Sequence, residues 1–93
     1  MPSVNPHRDA EIDRAIANVL SRTQAFPIFA SRIQQMVASV YPDLGAKDDD
    51  IVRGLGLLAG LNYVEETPDK LGGPSRWKLS AEGVLAHRRG EFA

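Results

Sequence analysis

The stretch KDDDIVRGLGLLAGLNYVEE, residues 47–66, decides how the rest of the chain is read. It opens on three aspartates, continues with apolar residues at helical spacing, and passes at Asn62 into β-type residues. At 3.6 residues per turn, Ile51, Leu55 and Leu58 fall on one side, with Gly54 and Leu61 at its edge. The spacing predicts a helix over residues 49–61 with that side buried. Asp48 or Asp49 is its expected cap, because a carboxylate there accepts free backbone N–H groups and meets the positive end of the helix dipole. Asn62 tolerates the left-handed conformation that ends many helices.

The opposite face of this helix carries Asp49, Arg53, Gly56, Leu57 and Gly60. Three glycines in a helix interior cost about 2–3 kcal/mol relative to alanine, so they call for a compensating reason. Gly54 suits close packing in the core. Gly56 and Gly60, four residues apart on the outer face, let another backbone come near. Leu57 beside them points toward contact with protein.

Upstream, Asn5 followed by Pro6 is a helix start, since Asn caps free amides and Pro in the first turn gives up no hydrogen bond. Ile12, Ile16, Val19 and Leu20 form its apolar stripe, and the helix is expected to end near Arg22 or Thr23. Pro27 is the expected opening of a second helix, in which Ile28, Phe29, Ile33, Met36, Val37 and Val40 keep a helical period. Pro42 ends it near Tyr41. Six residues, PDLGAK, then separate Tyr41 from Asp48.

Downstream, YVEET and RWKLS alternate in polarity around PDKLGGPS, a loop by its Pro and Gly content, and together predict a β-hairpin with a long tip. Val64, Trp77 or Leu79 is expected to enter the core. Ser80 caps a last helix, AEGVLAHRR, whose Val84, Leu85, His87 and Arg88 divide between core and solvent.

With 93 residues, 43% of them hydrophobic, the chain fits one domain, 1–93, with its core in about 6–89. The absence of cysteine excludes disulfides and thiolate metal sites. No run approaches the length of a membrane span, and MPSVNPHRDAE lacks the basic-then-apolar order of a secretory signal, so a cytoplasmic chain with no membrane partner is expected. The net charge of −1 is unevenly placed: nine acids face six bases in residues 1–66, three face five in residues 67–93. Only the last third offers clustered cations for phosphate.

The order helix, helix, helix, hairpin, helix, together with two motifs, resembles the winged helix-turn-helix domain of small bacterial or phage regulators. LGLLAGLNYVEE resembles the end of a recognition helix and the first wing strand; RWKLSAEGVLAHRR is similar to the second wing strand and the helix after it. The resemblance covers roughly residues 10–89 and implies an α+β, mainly α fold: a three-helix core, a two-stranded β wing and a short C-terminal helix. It also implies a transcriptional regulator that binds double-stranded DNA as a homodimer, with its third helix in the major groove.

Carried onto this chain, the resemblance makes Arg53 a base reader, since arginine pairs with both acceptors of guanine. Lys47, Lys70, Arg76 and Lys78 would hold phosphates, with Ser75 donating a hydrogen bond. The six-residue turn and the aspartates depart from that pattern. A second expectation therefore stands beside the first: a winged-helix protein-interaction module that docks a protein partner through Asp49, Gly56, Leu57 and Gly60. For the wing itself the alternative to phosphate contact is a solvated hairpin in which Lys78 pairs across to Glu65 or Thr67.

No catalytic site is expected. His7 and His87 are far apart, and His7 with Glu11 at i, i+4 reads as a surface pair rather than a metal site. The three consecutive aspartates diverge around the helix and lack the spacing of a calcium loop. GLGLLAG lacks the lysine of a phosphate loop, so neither a metal nor a cofactor is expected.

Overall fold

Residues 6–23 and 26–92 are described by the computed structural model of the chain. The first helix, α1 (Pro6–Arg22), turns Ile12, Ile16, Val19 and Leu20 fully into the core, as its stripe requires. The Asn5 cap expected for it lies outside the described residues.

The second helix begins later than its apolar period suggests. Ile28–Phe29 form a short strand, β1, and α2 spans Ala30–Val40. Both residues favour extended backbone, and pairing with a strand later in the chain outweighs the local helical period. Ile33 and Val37 are the buried residues of α2, and Tyr41 closes it, its N–H donating to the Val37 carbonyl at 2.8 Å.

The PDLGAK connection is an ordered turn. Pro42–Leu44 form a 3-10 turn, ended by Gly45 at φ 57°. Arg8 donates to the carbonyls of Leu44 and Gly45 at 3.0 and 3.2 Å, and Gln34 to that of Ala46 at 2.9 Å. Three side-chain bonds thus fix the extra length of the turn.

The third helix, α3 (Asp48–Gly60), buries Ile51, Gly54, Leu55 and Leu58. Its cap differs from expectation: Lys47 occupies the cap position, and Asp50 supplies the capping carboxylate by accepting the Lys47 N–H at 3.0 Å. Asp48 is already helical, because a carboxylate in the third helical position reaches back over the first turn. At the other end Asn62 takes φ 65°. The N–H groups of Asn62 and Tyr63 donate to Ala59 and Leu58 at 3.0 and 2.9 Å, the paired bonds that let a left-handed residue end a helix.

The hairpin strands are β2 (Val64–Thr67) and β3 (Arg76–Leu79). With β1 they form an antiparallel sheet in the order β1-β3-β2, three-stranded where a two-stranded wing was expected. Ile28 opposes Trp77 and Phe29 opposes Arg76 on one side of β3; Val64 opposes Leu79 and Glu65 opposes Lys78 on the other. Val64 and Leu79 are buried, and Trp77 packs partly buried against the core. The alternation leaves Phe29, Thr67, Arg76, Glu65 and Lys78 on the outer side of the sheet.

The last helix, α4 (Ala81–Arg88), starts where expected: Ser80 accepts the Gly83 N–H at 3.0 Å. Ala86 is buried, Val84 half-buried and Leu85 exposed. The architecture is α+β and mainly α, with four helices and one three-stranded antiparallel sheet among the described residues. No described helix is long and apolar enough to cross a membrane.

Candidate functional site

Two surfaces hold the candidate residues. The first is the outer face of α3. Helical periodicity alone places Arg53 there, yet its guanidinium turns sideways onto α1, with Nη2 3.5 Å from Asp9 and 3.4 Å from Asp13. Its side chain stays 38% exposed, a partly wetted bridge between two helices. Gly54 explains the reach: a Cβ built there lies 2.6 Å from Ile16 Cδ1 and 2.8 Å from Asp13 Oδ1, so α1 and α3 touch at the glycine and their flanking charges meet.

Electrostatics differ along this seam. Burial raises the Asp13 carboxyl above its ordinary value, and the charge and hydrogen bond of Arg53 pull it back in part. Asp50 is held below the ordinary range, first by the Arg8 hydrogen bond and then by the Lys47 N–H. Both basic residues that α1 and α3 exchange are therefore occupied by carboxylates.

What remains outward on α3 is acidic at one end and apolar beyond it. Asp48 and Asp49 are exposed in the first turn. Val52, Leu57 and Leu61 are 62%, 49% and 54% exposed. A Cβ at Gly56 or Gly60 meets nothing within 4 Å, so both leave open, shallow surface. Exposed Ala59 adds to it. Lys47, at the cap, is exposed beside the aspartates.

The second surface is the outer side of the sheet with the hairpin tip. The Arg76 guanidinium lies over the Phe29 ring, 5.0 Å from its centroid. Lys70 and Arg76 line one groove of about 480 Å³ together with Phe29, Thr67, Leu71 and Pro74. Lys78 stands on the same side of the sheet and reaches Glu65 Oε2 at 3.8 Å, the cross-strand pair that the register dictates. Ser75, half-buried, directly precedes β3. The tip is shaped by Asp69, which accepts the Leu71 N–H at 3.2 Å and the Gly73 N–H at 3.0 Å, while Gly72 takes φ 80°. Leu71 projects from it, 94% exposed.

The structure thus brings Lys70 and Arg76 together, ties Lys78 to Glu65 and draws Arg53 away to α1. Sequence reasoning missed Val52, Ala59 and Leu61 on the α3 surface, although their spacing from Gly56 and Leu57 carries the signal. It misses Phe29 because the helical period that starts at Ile28 covers that residue, whereas it lies in β1. His7 and Glu11 form an exposed pair at 3.2 Å, and no metal-binding cluster of His, Asp or Glu occurs among the described residues. Comparison of the chain with protein-family models, curated proteins and solved structures gives no match.

Proposed function

We propose that the chain is a winged-helix domain that works as a protein-interaction module, with the outer face of α3 as its docking surface. The order of elements and the sheet order β1-β3-β2 support the winged-helix assignment, and β1 completes a sheet whose hairpin is the wing. One observation carries the function: the only arginine of α3 is engaged by Asp9 and Asp13, and what faces outward is Asp48, Asp49, Val52, Gly56, Leu57, Ala59 and Gly60. Such a face repels phosphates at one end and gives base edges no donors along its length. It suits the apolar stripe of an amphipathic helix from another protein, with a Lys or Arg beside Asp48 and Asp49. The glycines admit the partner's backbone closely.

The test is selection from a displayed library of helical peptides, followed by binding to Val52→Asp and Leu57→Asp. The expected winners carry an i, i+3, i+4, i+7 apolar stripe and a basic end, and lose binding to both variants. Self-association that both variants abolish would make the partner a second copy of the chain.

Lys70 and Arg76 in one groove, next to Ser75, favour a second reading in which the wing holds duplex DNA. Fluorescence anisotropy with random-sequence duplex DNA separates the two. A DNA binder loses affinity steeply as salt rises from about 50 to 200 mM. Such a loss, weakened by Lys70→Ala with Arg76→Ala and unaffected by Leu57→Asp, overturns the first reading.

A further inference from the structure

A cavity of about 410 Å³ opens on the side of α1 that faces α4, the end of α2 and the 3-10 turn, a volume within the range of about 300–1,000 Å³ found for small-molecule sites. Ala15, Leu44 and Phe92 give it apolar walls. Its polar groups are ordered by a chain of hydrogen bonds across three elements. The Asn18 side-chain oxygen, Oδ1, lies 3.0 Å from His87 Nε2, so that nitrogen donates; Asn18 Nδ2 donates in turn to the Tyr41 hydroxyl at 3.0 Å. The Tyr41 O–H is left with its own proton to give.

Arg14 lines the same cavity, half-buried, and its side chain makes no hydrogen bond or ion pair among the described residues. The neighbouring Glu11 is engaged by His7 at 3.2 Å and stands as a single negative charge on the lining. A half-buried guanidinium with unspent donors and a phenol with an unspent proton, lining one cavity, match a planar oxyanion. The apolar walls match a hydrocarbon body, and Glu11 disfavours a second negative charge. We infer that this cavity binds a small organic monocarboxylate, its carboxylate taken by Arg14 and the Tyr41 hydroxyl and its apolar body by Ala15, Leu44 and Phe92. This site is separate from the outer face of α3 and does not depend on what that face binds.

The probe is 3-phenylpropionate, with 3-phenylpropanol as the uncharged control, followed by calorimetry and amide NMR on the full chain. The expected result is a Kd of about 1 mM or tighter, in keeping with so few ligand atoms, with shifts at Ala15, Asn18, Tyr41 and Leu44. The alcohol binds roughly tenfold more weakly, and Arg14→Gln lowers carboxylate affinity by roughly tenfold while Tm is unchanged. Leu44→Trp, which fills the cavity from its wall, removes the shifts and serves as the independent check should Arg14→Gln lose its fold. No saturable binding, equal affinity for acid and alcohol, or shifts confined to other residues would each overturn the assignment.

Discussion

Arg8 grips both carboxylate oxygens of Asp50, Nη1 to Oδ1 and Nη2 to Oδ2 at 3.1 Å each, and so joins the start of α1 to the first turn of α3. The same carboxylate caps α3 through the Lys47 N–H. One side chain therefore holds a helix start and a helix pair. Its pKa lies below the ordinary value because the Arg8 hydrogen bond favours the ionised form. A carboxylate depressed in the folded state stabilises it above the unfolded pKa, about 4, and loses that contribution as pH falls through the lower folded value. Asp50→Asn is expected to lower Tm at pH 7 by a few degrees, with the gap closing in acid. Melting curves that stay equally far apart from neutral pH to about pH 2 would show that Arg8 does not hold the ionised carboxylate.

The three glycines of α3 separate by what surrounds them. Alanine at Gly56 or Gly60 enters open space and gains the helical preference of about 0.5–1 kcal/mol. Alanine at Gly54 meets Ile16, which is fully buried and has nowhere to retreat, so overpacking of about 1–3 kcal/mol exceeds the same gain. Urea unfolding should show Gly56→Ala and Gly60→Ala more stable than wild type and Gly54→Ala less stable. On the proposed docking surface, the two stabilising variants should also weaken peptide binding, since each methyl group holds the partner off.

Ser80 links α4 to the end of α3. Its N–H donates to the Tyr63 carbonyl at 3.0 Å, its hydroxyl donates to the Asn62 carbonyl at 2.6 Å, and the same oxygen accepts the Gly83 N–H. Ser80→Ala keeps the first bond and loses the other two, a cost of about 1–3 kcal/mol at a buried site. Gly83→Ala should cost more, because its methyl group would run into the Tyr63 carbonyl, which is backbone and cannot swing aside. Loss of the His87–Asn18 contact, followed by side-chain NMR, would report α4 leaving its seat. A Gly83→Ala protein as stable as wild type would contradict this packing.

These elements also show what the sequence made legible. The Ile51, Leu55, Leu58 stripe, the Asn62 stop and the Ser80 cap are local patterns, determined within a turn or two of backbone, and they stand where the pattern put them. β1 was not legible, because two residues cannot show a period and their conformation is settled by Trp77 and Arg76 far along the chain. Arg53 shows the same limit at the candidate site. A helical wheel gives the angle of its Cβ, but the side chain is long enough to leave that angle, and its destination depends on Asp9 and Asp13 in another helix. Of the α3 surface, Gly56, Leu57 and Gly60 are legible because they share one helix face, whereas Val52, Ala59 and Leu61 at its margins are not picked out by that face, and the cavity beside Asn18 draws on residues from separate elements.

Arg53 is where stability and function can be read together. Asp9 and Asp13 stand one turn apart on α1, and without Arg53 they repel each other. Burial already holds Asp13 above its ordinary pKa and Arg53 opposes that rise, so Arg53→Gln should raise the Asp13 value further. A carboxylate whose folded pKa exceeds its unfolded value disfavours the folded state when ionised, and the penalty disappears as pH falls below the unfolded value. The loss in Arg53→Gln is therefore expected at neutral pH and should fade below about pH 4. Its size should stay under about 1 kcal/mol, because the guanidinium is 38% exposed and water screens the pair. Urea unfolding at both pH values measures it. With Arg53 spent on α1, the same variant should bind duplex DNA and α3-directed peptides as wild type does. A sharp fall in DNA affinity with unchanged stability would mean that the guanidinium leaves Asp9 and Asp13 to read bases, and the docking assignment of α3 would fall with it.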